Sequence, residues 1–320
     1  MNKFRIISDL HYDDGLNKSD DFDKLIGKKF IKEKDCITLI AGDLATNIAN
    51  KKEFLEKYFK DQLVIFTGGN HDVYIKGLKT ISEIDTEHKI EFSLTNSLWK
   101  YLNNEWLWIP GTNESIAIIG SIFYTDYEYH TWTIESFNEY LNAWNSLSNA
   151  YGLSLPTEKV TSLDIQRIIQ ENQLIAQNYL NDFQWGYEAP GQHLTPYTYR
   201  QLHLKAKQEV LRCYNEIINQ NPQAKVILMT HHCLSPNCID EKFIGKVSNS
   251  SYVSDLEKWL CENMPNLRLV ISGHVHCRKD FVFGEDKKRY IVNACGYLPY
   301  NENIKNNPFN PNLIIRSDEL

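Results

Sequence analysis

Phe4-Arg5-Ile6-Ile7-Ser8-Asp9-Leu10-His11 carries a pattern that the rest of the chain repeats: a short apolar run that ends in a carboxylate and an imidazole. Cys36–Ala41 runs into Gly42-Asp43, and residues 63–67 run into Gly69-Asn70-His71-Asp72. Lys225–Thr230 leads to His231-His232, and Leu267–Ser272 leads to Gly273-His274-Val275-His276. Residues 116–120 form a sixth run of the same kind. Runs of this length, rich in Ile, Val and Leu and bounded by turn residues, predict buried strands. Helical stretches over 22–31 and 52–59 separate the first three, and one over 252–261 precedes the last. Strand, helix, strand at this spacing predicts crossovers and sheets covered by helices, an α/β chain. Residues 279–283 and 289–293 read as a hairpin-like pair across Gly284-Glu285-Asp286.

In an open α/β sheet, ligand-binding groups gather at the carboxyl ends of strands. Asp9, His11, Asp43, Asn70, His231, His274 and His276 each follow a predicted strand, so all seven are expected on one edge. Their chemistry suits two adjacent divalent cations. Imidazole supplies a nitrogen donor, carboxylate supplies charge, and one Asp can bridge ions ~3.5–4 Å apart. Asn70 supplies a neutral carbonyl oxygen, which leaves a net positive potential for a phosphate. Glycines 42, 69 and 273 are expected to allow tight turns where strand becomes loop. The pattern predicts a metal-dependent hydrolase.

Composition narrows the alternatives. With 320 residues, 42% hydrophobic and 23% charged, the chain can bury a sizeable core and is not a disordered polypeptide. The net charge of −7 and the short basic blocks disfavour a nucleic-acid partner, which usually meets a basic face. Seven cysteines without a CxxC pair are expected as free thiols, with Cys233 and Cys238 as bystanders. No stretch reads as a secretory signal or a membrane span, so a cytoplasmic protein with no membrane partner is expected.

Residues 124–220 break the strand–helix rhythm. Trp, Tyr, Asn and Gln are frequent, and helices are predicted over 162–180 and 199–219, with a turn-rich loop at Gly186-Tyr187-Glu188-Ala189-Pro190-Gly191 between them. The stretch reads as an insertion between core strands. Its aromatics either line a substrate pocket or, as Trp132, Trp144 and Trp185, form a satellite core. His88, His130, His193 and His203 fall in no motif and are read as structural or surface residues. His232 has either a supporting role beside the site or none.

The ordered set Asp9/His11, Gly42-Asp43, Gly69-Asn70-His71-Asp72, His231 and Gly273-His274/His276 resembles the calcineurin-like metallophosphoesterase superfamily. The resemblance spans residues 9–276. Gly120-Ser121-Ile122-Phe123-Tyr124-Thr125-Asp126, Thr230-His231-His232, Tyr252-Val253-Ser254-Asp255-Leu256 and Asn293-Ala294-Cys295-Gly296-Tyr297 are similar to features of a bacterial branch whose substrate is undefined. Gly42-Asp43-Leu44-Ala45-Thr46-Asn47-Ile48 lacks the second Asp and the Arg of the protein phosphatases, which disfavours that activity. The resemblance implies one domain over 1–320, a four-layer αββα sandwich of two mixed β-sheets flanked by helices, with 124–220 as a helical, cap-like insertion. It implies two divalent metal ions, manganese or iron with zinc as a third option. Asp9, His11 and His276 would hold the first, Asn70, His231 and His274 the second, and Asp43 would bridge them beside a hydroxide. His71 would contact the phosphate and protonate the leaving oxygen, with Asp72 orienting it. The expected activity is hydrolysis of a phosphomonoester or phosphodiester, with a small phosphoester or nucleotide as substrate. A nuclease of the same superfamily and a non-catalytic scaffold that keeps the fold are the alternatives.

Overall fold

The structure, a computed structural model, is described at residues 2–13, 22, 26–31, 33, 35–74, 79–94, 98–110, 115–151, 159–297 and 309–320, the side chains of 28, 94 and 147–151 aside. In chain order its elements are β1 (Lys3–Ile7), β2 (Cys36–Ala41), α1 (Ile48–Phe59), β3 (Val64–Thr67), α2 (Ile81–Leu94), β4 (Trp99–Tyr101), β5 (Glu105–Trp108) and β6 (Ile116–Ser121). Then come α3 (Ile134–Tyr151), α4 (Ile165–Tyr179), α5 (Asp182–Trp185), β7 (Tyr187–Ala189), β8 (Gln192–His193) and α6 (Pro196–Gln220). The chain closes with β9 (Lys225–Thr230), α7 (Glu257–Asn263), β10 (Leu267–Ser272), β11 (Arg278–Phe283), β12 (Lys288–Asn293) and β13 (Ile314–Arg316).

Two mixed sheets result. One has the order β13-β1-β2-β3-β4, parallel except for β13; the other has the order β11-β12-β10-β9-β6-β5, with antiparallel pairs at both edges. Period-two alternation along each strand builds the layers. Phe4, Ile6, Leu39, Ala41 and Ile65 of the first sheet meet Ile116, Ile118, Ile227, Met229, Leu269, Ile271 and Ile291 of the second. The opposite faces are covered as well. Ile7, Ile40, Val64 and Phe66 pack on Phe54, Leu55 and Phe59 of α1. Ala117, Ile119, Val226, Leu228 and Val270 pack on Ala206, Val210, Tyr214 and Ile217 of α6 and Leu260 of α7. The result is a four-layer αββα sandwich. Burial on both faces is why the central strands read as unbroken apolar runs.

Several elements differ from the sequence expectation. Of the helix expected over 22–31, the described residues show a helical Phe22, whose carbonyl accepts from Ile26 N at 2.8 Å, and the turn Gly27–Lys29; residues 23–25 lie outside the described residues. The helix expected over 252–261 starts at Glu257. Its first residues spend their backbone donors on the loop after β9: Ser254 N donates to Cys233 O at 2.9 Å and Leu256 N to Leu234 O at 3.0 Å. Helix α2 was not expected, because its inward stripe of Ile84, His88 and Phe92 includes a histidine that breaks the apolar period. Helix α6 covers the second sheet, so the end of the 124–220 stretch is part of an outer layer. Trp132 packs with Phe137, Leu141, Ile168 and Ile175 in a satellite core, whereas Trp185 is exposed. All seven cysteines are free, and no helix among the described residues is long and apolar enough to cross a membrane.

Candidate metal centre

The parallel strands β1, β2 and β3 of one sheet and β9 and β10 of the other end at the same edge of the sandwich. Asp9 N donates to Gly42 O at 3.1 Å and His11 N to Asp43 O at 3.0 Å within one sheet, Gly273 N donates to His231 O at 2.9 Å within the other, and Ser8 N donates to Asn293 O at 3.1 Å across the two. Five residues there sit in the left-handed region: Asp9 (φ 53°), His11 (44°), Asp43 (47°), His274 (67°) and His276 (46°). Each such conformation costs of order 1–3 kcal/mol and persists only where its surroundings over-determine it. Its cost here turns five side chains from three loops, those after β1, β2 and β10, into one space.

Asp9, His11, Asp43, Asn70, His231, His274 and His276 all meet in that space. His11 Nε2 lies 3.1 Å from His276 Nε2, and His276 Nε2 lies 3.4 Å from Asp9 Oδ1. Asp43 Oδ2 is 3.3 Å from His231 Nε2, 3.9 Å from His11 Nε2 and 4.0 Å from His71 Nε2. Asn70 Oδ1 faces His231 Nε2 at 2.9 Å. The His274 ring stacks between His232 and Tyr252, with centroids 4.2 and 5.0 Å away, and His274 N donates to both oxygens of Asp9 at 2.9 and 3.0 Å. His231 donates from Nδ1 to the Ala41 carbonyl at 3.0 Å, which leaves its Nε2 for the centre.

Glycine serves close approach here more than turning. Gly42 is left-handed (φ +84°). Gly69 and Gly273 are not, yet a Cβ at Gly69 would fall 2.0 Å from Asp43 Oδ1, and one at Gly273 would fall 2.4 Å from Asp9 Oδ2. The two carboxylates are pressed against bare backbone, which corrects the expectation that all three glycines make turns.

Burial and mutual charge set the protonation pattern. Burial pushes Asp9 up, but the hydrogen bond and charge of His276, with the charge of His231, outweigh it and hold the carboxyl at about 2. Burial likewise opposes the charge of Asp43, and His231 and His71 overcome it, so that carboxyl stays well below the usual range. Burial lowers His231, while the charge and hydrogen bond of Asp43 raise it to about 9. Burial, then the charge of His231, takes His274 down to about 3, and burial with the charge of His71 takes His11 well below 6.5.

Could these residues hold metal ions? The donors are four imidazoles, two carboxylates and one amide oxygen. Asp9, His11 and His276 bring one ligand atom each within 4.8 Å of one another, as do His11, Asp43 and His71, and Asp9, Asp43 and His231. Buried His274 Nε2 has no hydrogen-bond partner among the described residues, and two imidazole nitrogens face each other at His11 and His276. An orphaned nitrogen and clustered nitrogen and oxygen donors fit cations better than they fit one another.

The histidine of the third loop stands at the rim. His71 N donates to Asp43 Oδ1 at 3.1 Å, and its Nε2 is 2.8 Å from the Tyr297 hydroxyl. Asp72 turns away. Its carboxylate accepts from Lys51 in the interior, and no hydrogen bond to the His71 ring is found among the described residues. The expectation that Asp72 orients His71 is therefore corrected: among the described residues the ring nitrogen Nε2 is met by the Tyr297 hydroxyl at 2.8 Å and, more distantly, by Asp43 Oδ2 at 4.0 Å. Lys51 also lies 2.8 Å from His88 Nε2. Sequence reading missed Lys51, Tyr74 and Asp182, none of which follows a strand or sits in a motif. A cavity of about 370 Å³ opens on Asp43, His71, His274 and His276, and residues 179–182 and 239–252 form its outer walls.

A four-layer sandwich with a His/Asp centre at the carboxyl ends of its strands defines a metal-binding α/β hydrolase. The calcineurin-like phosphoesterase profile matches residues 3–278, and the chain belongs to that family, whose members are metal-dependent phosphoesterases. No curated protein matches it in sequence. Among solved structures it is similar to the phosphopantetheinyl hydrolase of Mycobacterium tuberculosis, at 16% identity and a TM-score of 0.60, covering 93% of this chain and 90% of that one. It is also similar to a dimetal phosphatase from Danio rerio, at 11% identity and a TM-score of 0.40, covering 91% of this chain and 86% of that one.

Proposed function

We propose that this chain hydrolyses a small phosphomonoester or phosphodiester at a centre for two divalent cations. Asp9, His11 and His276 would hold one ion and Asn70, His231 and His274 the other, with Asp43 placed to reach both. The carrying observation is the convergence of these seven side chains, five of them through left-handed backbone. Bound cations supply a water acidic enough to attack near neutral pH and neutralise phosphate oxygens. The His and Asp donors suit manganese, iron or zinc.

The chain's own groups do the rest. His71, at the rim with its backbone tied to Asp43, contacts the phosphate. As water adds to phosphorus and the ester P–O bond breaks, the departing oxygen takes its proton from His71 Nε2. The Tyr297 hydroxyl, 2.8 Å from that nitrogen, occupies the position that the ester oxygen would take to receive the proton. The walls formed by residues 179–182 and 239–252 surround the centre, which favours a small substrate over a nucleic-acid duplex, and a net charge of −7 points the same way.

The test is a panel of p-nitrophenyl phosphate, bis-p-nitrophenyl phosphate and DNA, run on protein of measured metal content. Hydrolysis of either small ester, with DNA left intact and with metal and activity both lost in Asp43→Asn, supports the proposal. Activity that survives in metal-depleted protein contradicts it. Cleavage of DNA that weakens steeply with salt would instead favour a nuclease.

A further inference from the structure

Asn70 is a neutral member of the centre and can contribute only its carbonyl oxygen, yet before a cation is bound an amide can present its NH2 group to this space as readily as its oxygen. Something must hold it. The residue that does so lies in the 124–220 stretch. Asn70 Nδ2 donates to Asp182 Oδ1 at 2.9 Å, while Asn70 Oδ1 faces His231. A carboxylate only accepts, so this bond admits one orientation of the amide. Asp182 is itself held: the Tyr74 hydroxyl donates to the same oxygen, and the carboxylate is 1% exposed. Phe183 and Leu180 on either side of it pack with Val73, Ile84 and Ile122 of the core. Its other oxygen, Oδ2, is buried with no hydrogen-bond partner among the described residues. Leaving a carboxylate oxygen unmatched is costly, and the packing around Asp182 outweighs that cost.

We infer that Asp182 is a positioning residue for the metal centre: it locks the Asn70 amide with its oxygen toward the cations, and so makes the inserted segment a structural part of the site. The inference rests on the two-cation reading above. Partners that orient metal ligands typically contribute about 10–100-fold in affinity.

The experiment reads metal and not turnover. Chelator-stripped protein is titrated with Mn²⁺, and free Mn²⁺ is followed by electron paramagnetic resonance. Wild type is expected to take two ions. Asp182→Ala is expected to keep one and to bind the other about 10–100-fold more weakly. Two exchanges keep the test decisive if that variant does not fold. Asn70→Asp sets two carboxylates against each other and is expected to weaken the same ion. Adding Asp182→Asn to it restores a donor–acceptor pair of reversed polarity and is expected to recover the binding. Wild-type binding of both ions by Asp182→Ala, or equal binding by Asn70→Asp with and without Asp182→Asn, overturns the inference while the two-cation reading stands. Failure of the wild type to take two ions overturns that reading, and the inference with it.

Discussion

Gly69→Ala puts the geometry of the centre under the sharpest single-atom strain. The new methyl would lie 2.0 Å from Asp43 Oδ1 and 2.7 Å from both Asp43 Cγ and the Asp43 backbone nitrogen. Ordinary contact begins at 3.4 Å, so the carboxylate and its backbone must give way by roughly 1.4 Å. Asp43 cannot simply rotate aside. Its Oδ1 accepts from His71 N, its Oδ2 faces three imidazoles, and its backbone is already left-handed at φ 47°. Overpacking of this kind costs about 1–3 kcal/mol. For the chemistry, a displacement of ~1 Å at a reacting centre is worth about 10²-fold. The expected result is one ion or fewer per chain by elemental analysis, and kcat/KM on an aryl phosphoester lower by about 10²-fold or more. Gly191→Ala is the control: unlike Gly69 it is left-handed (φ +77°) and so carries its own backbone strain, but no described atom lies within 4 Å of its Cβ. It is expected to lose about 1–2 kcal/mol of stability and to keep its metals. Gly69→Ala protein with two ions and wild-type turnover would refute the reasoning.

Further expectations concern the rim and the interior. His71→Ala should lower turnover by about 10²–10⁴-fold on esters with poor leaving groups, and much less on nitrophenyl esters, while metal content stays unchanged; an equal loss on both would remove its role as proton donor. Lys51→Met strands the Asp72 carboxylate in an apolar interior, and equilibrium unfolding should show a loss of about 3–5 kcal/mol. Burial, then the charge of Lys51, lowers His88 to about 3. The neutral ring it favours gives stability that is full above pH 6.5 and is lost as pH falls toward 3, because the unfolded chain takes up a proton the folded chain refuses. His88→Gln should flatten the fall of stability between pH 6.5 and 4 by up to about 1.4 kcal/mol per pH unit, as read from urea midpoints; an unchanged slope would mean that His88 titrates normally.

Much of the sandwich was legible because its central strands are buried on both faces. Cys36–Ala41, Lys225–Thr230 and Leu267–Ser272 have the bounds the apolar runs suggest. The edge strands Glu105–Trp108 and Ile314–Arg316 were not legible, since each is short and partly exposed. Site residues at strand ends could be read for a topological reason: the carboxyl edge of parallel strands collects them whatever their separation in sequence. Asp182 and Lys51 reach the site region from a short helix and a helix flank, where only tertiary packing brings them near. Asp72 shows the opposite error. Its neighbour in sequence is His71, but the tight turn over Asn70–Val73 sends the two side chains to different sides, one to the rim and one to Lys51.

The most direct measurement of the account is anomalous diffraction from crystals grown with Mn²⁺. Two peaks are expected, both within ligand distance of Asp43, one beside Asp9, His11 and His276 and the other beside Asn70, His231 and His274. A single peak, or peaks that leave Asp43 uncoordinated, would contradict it.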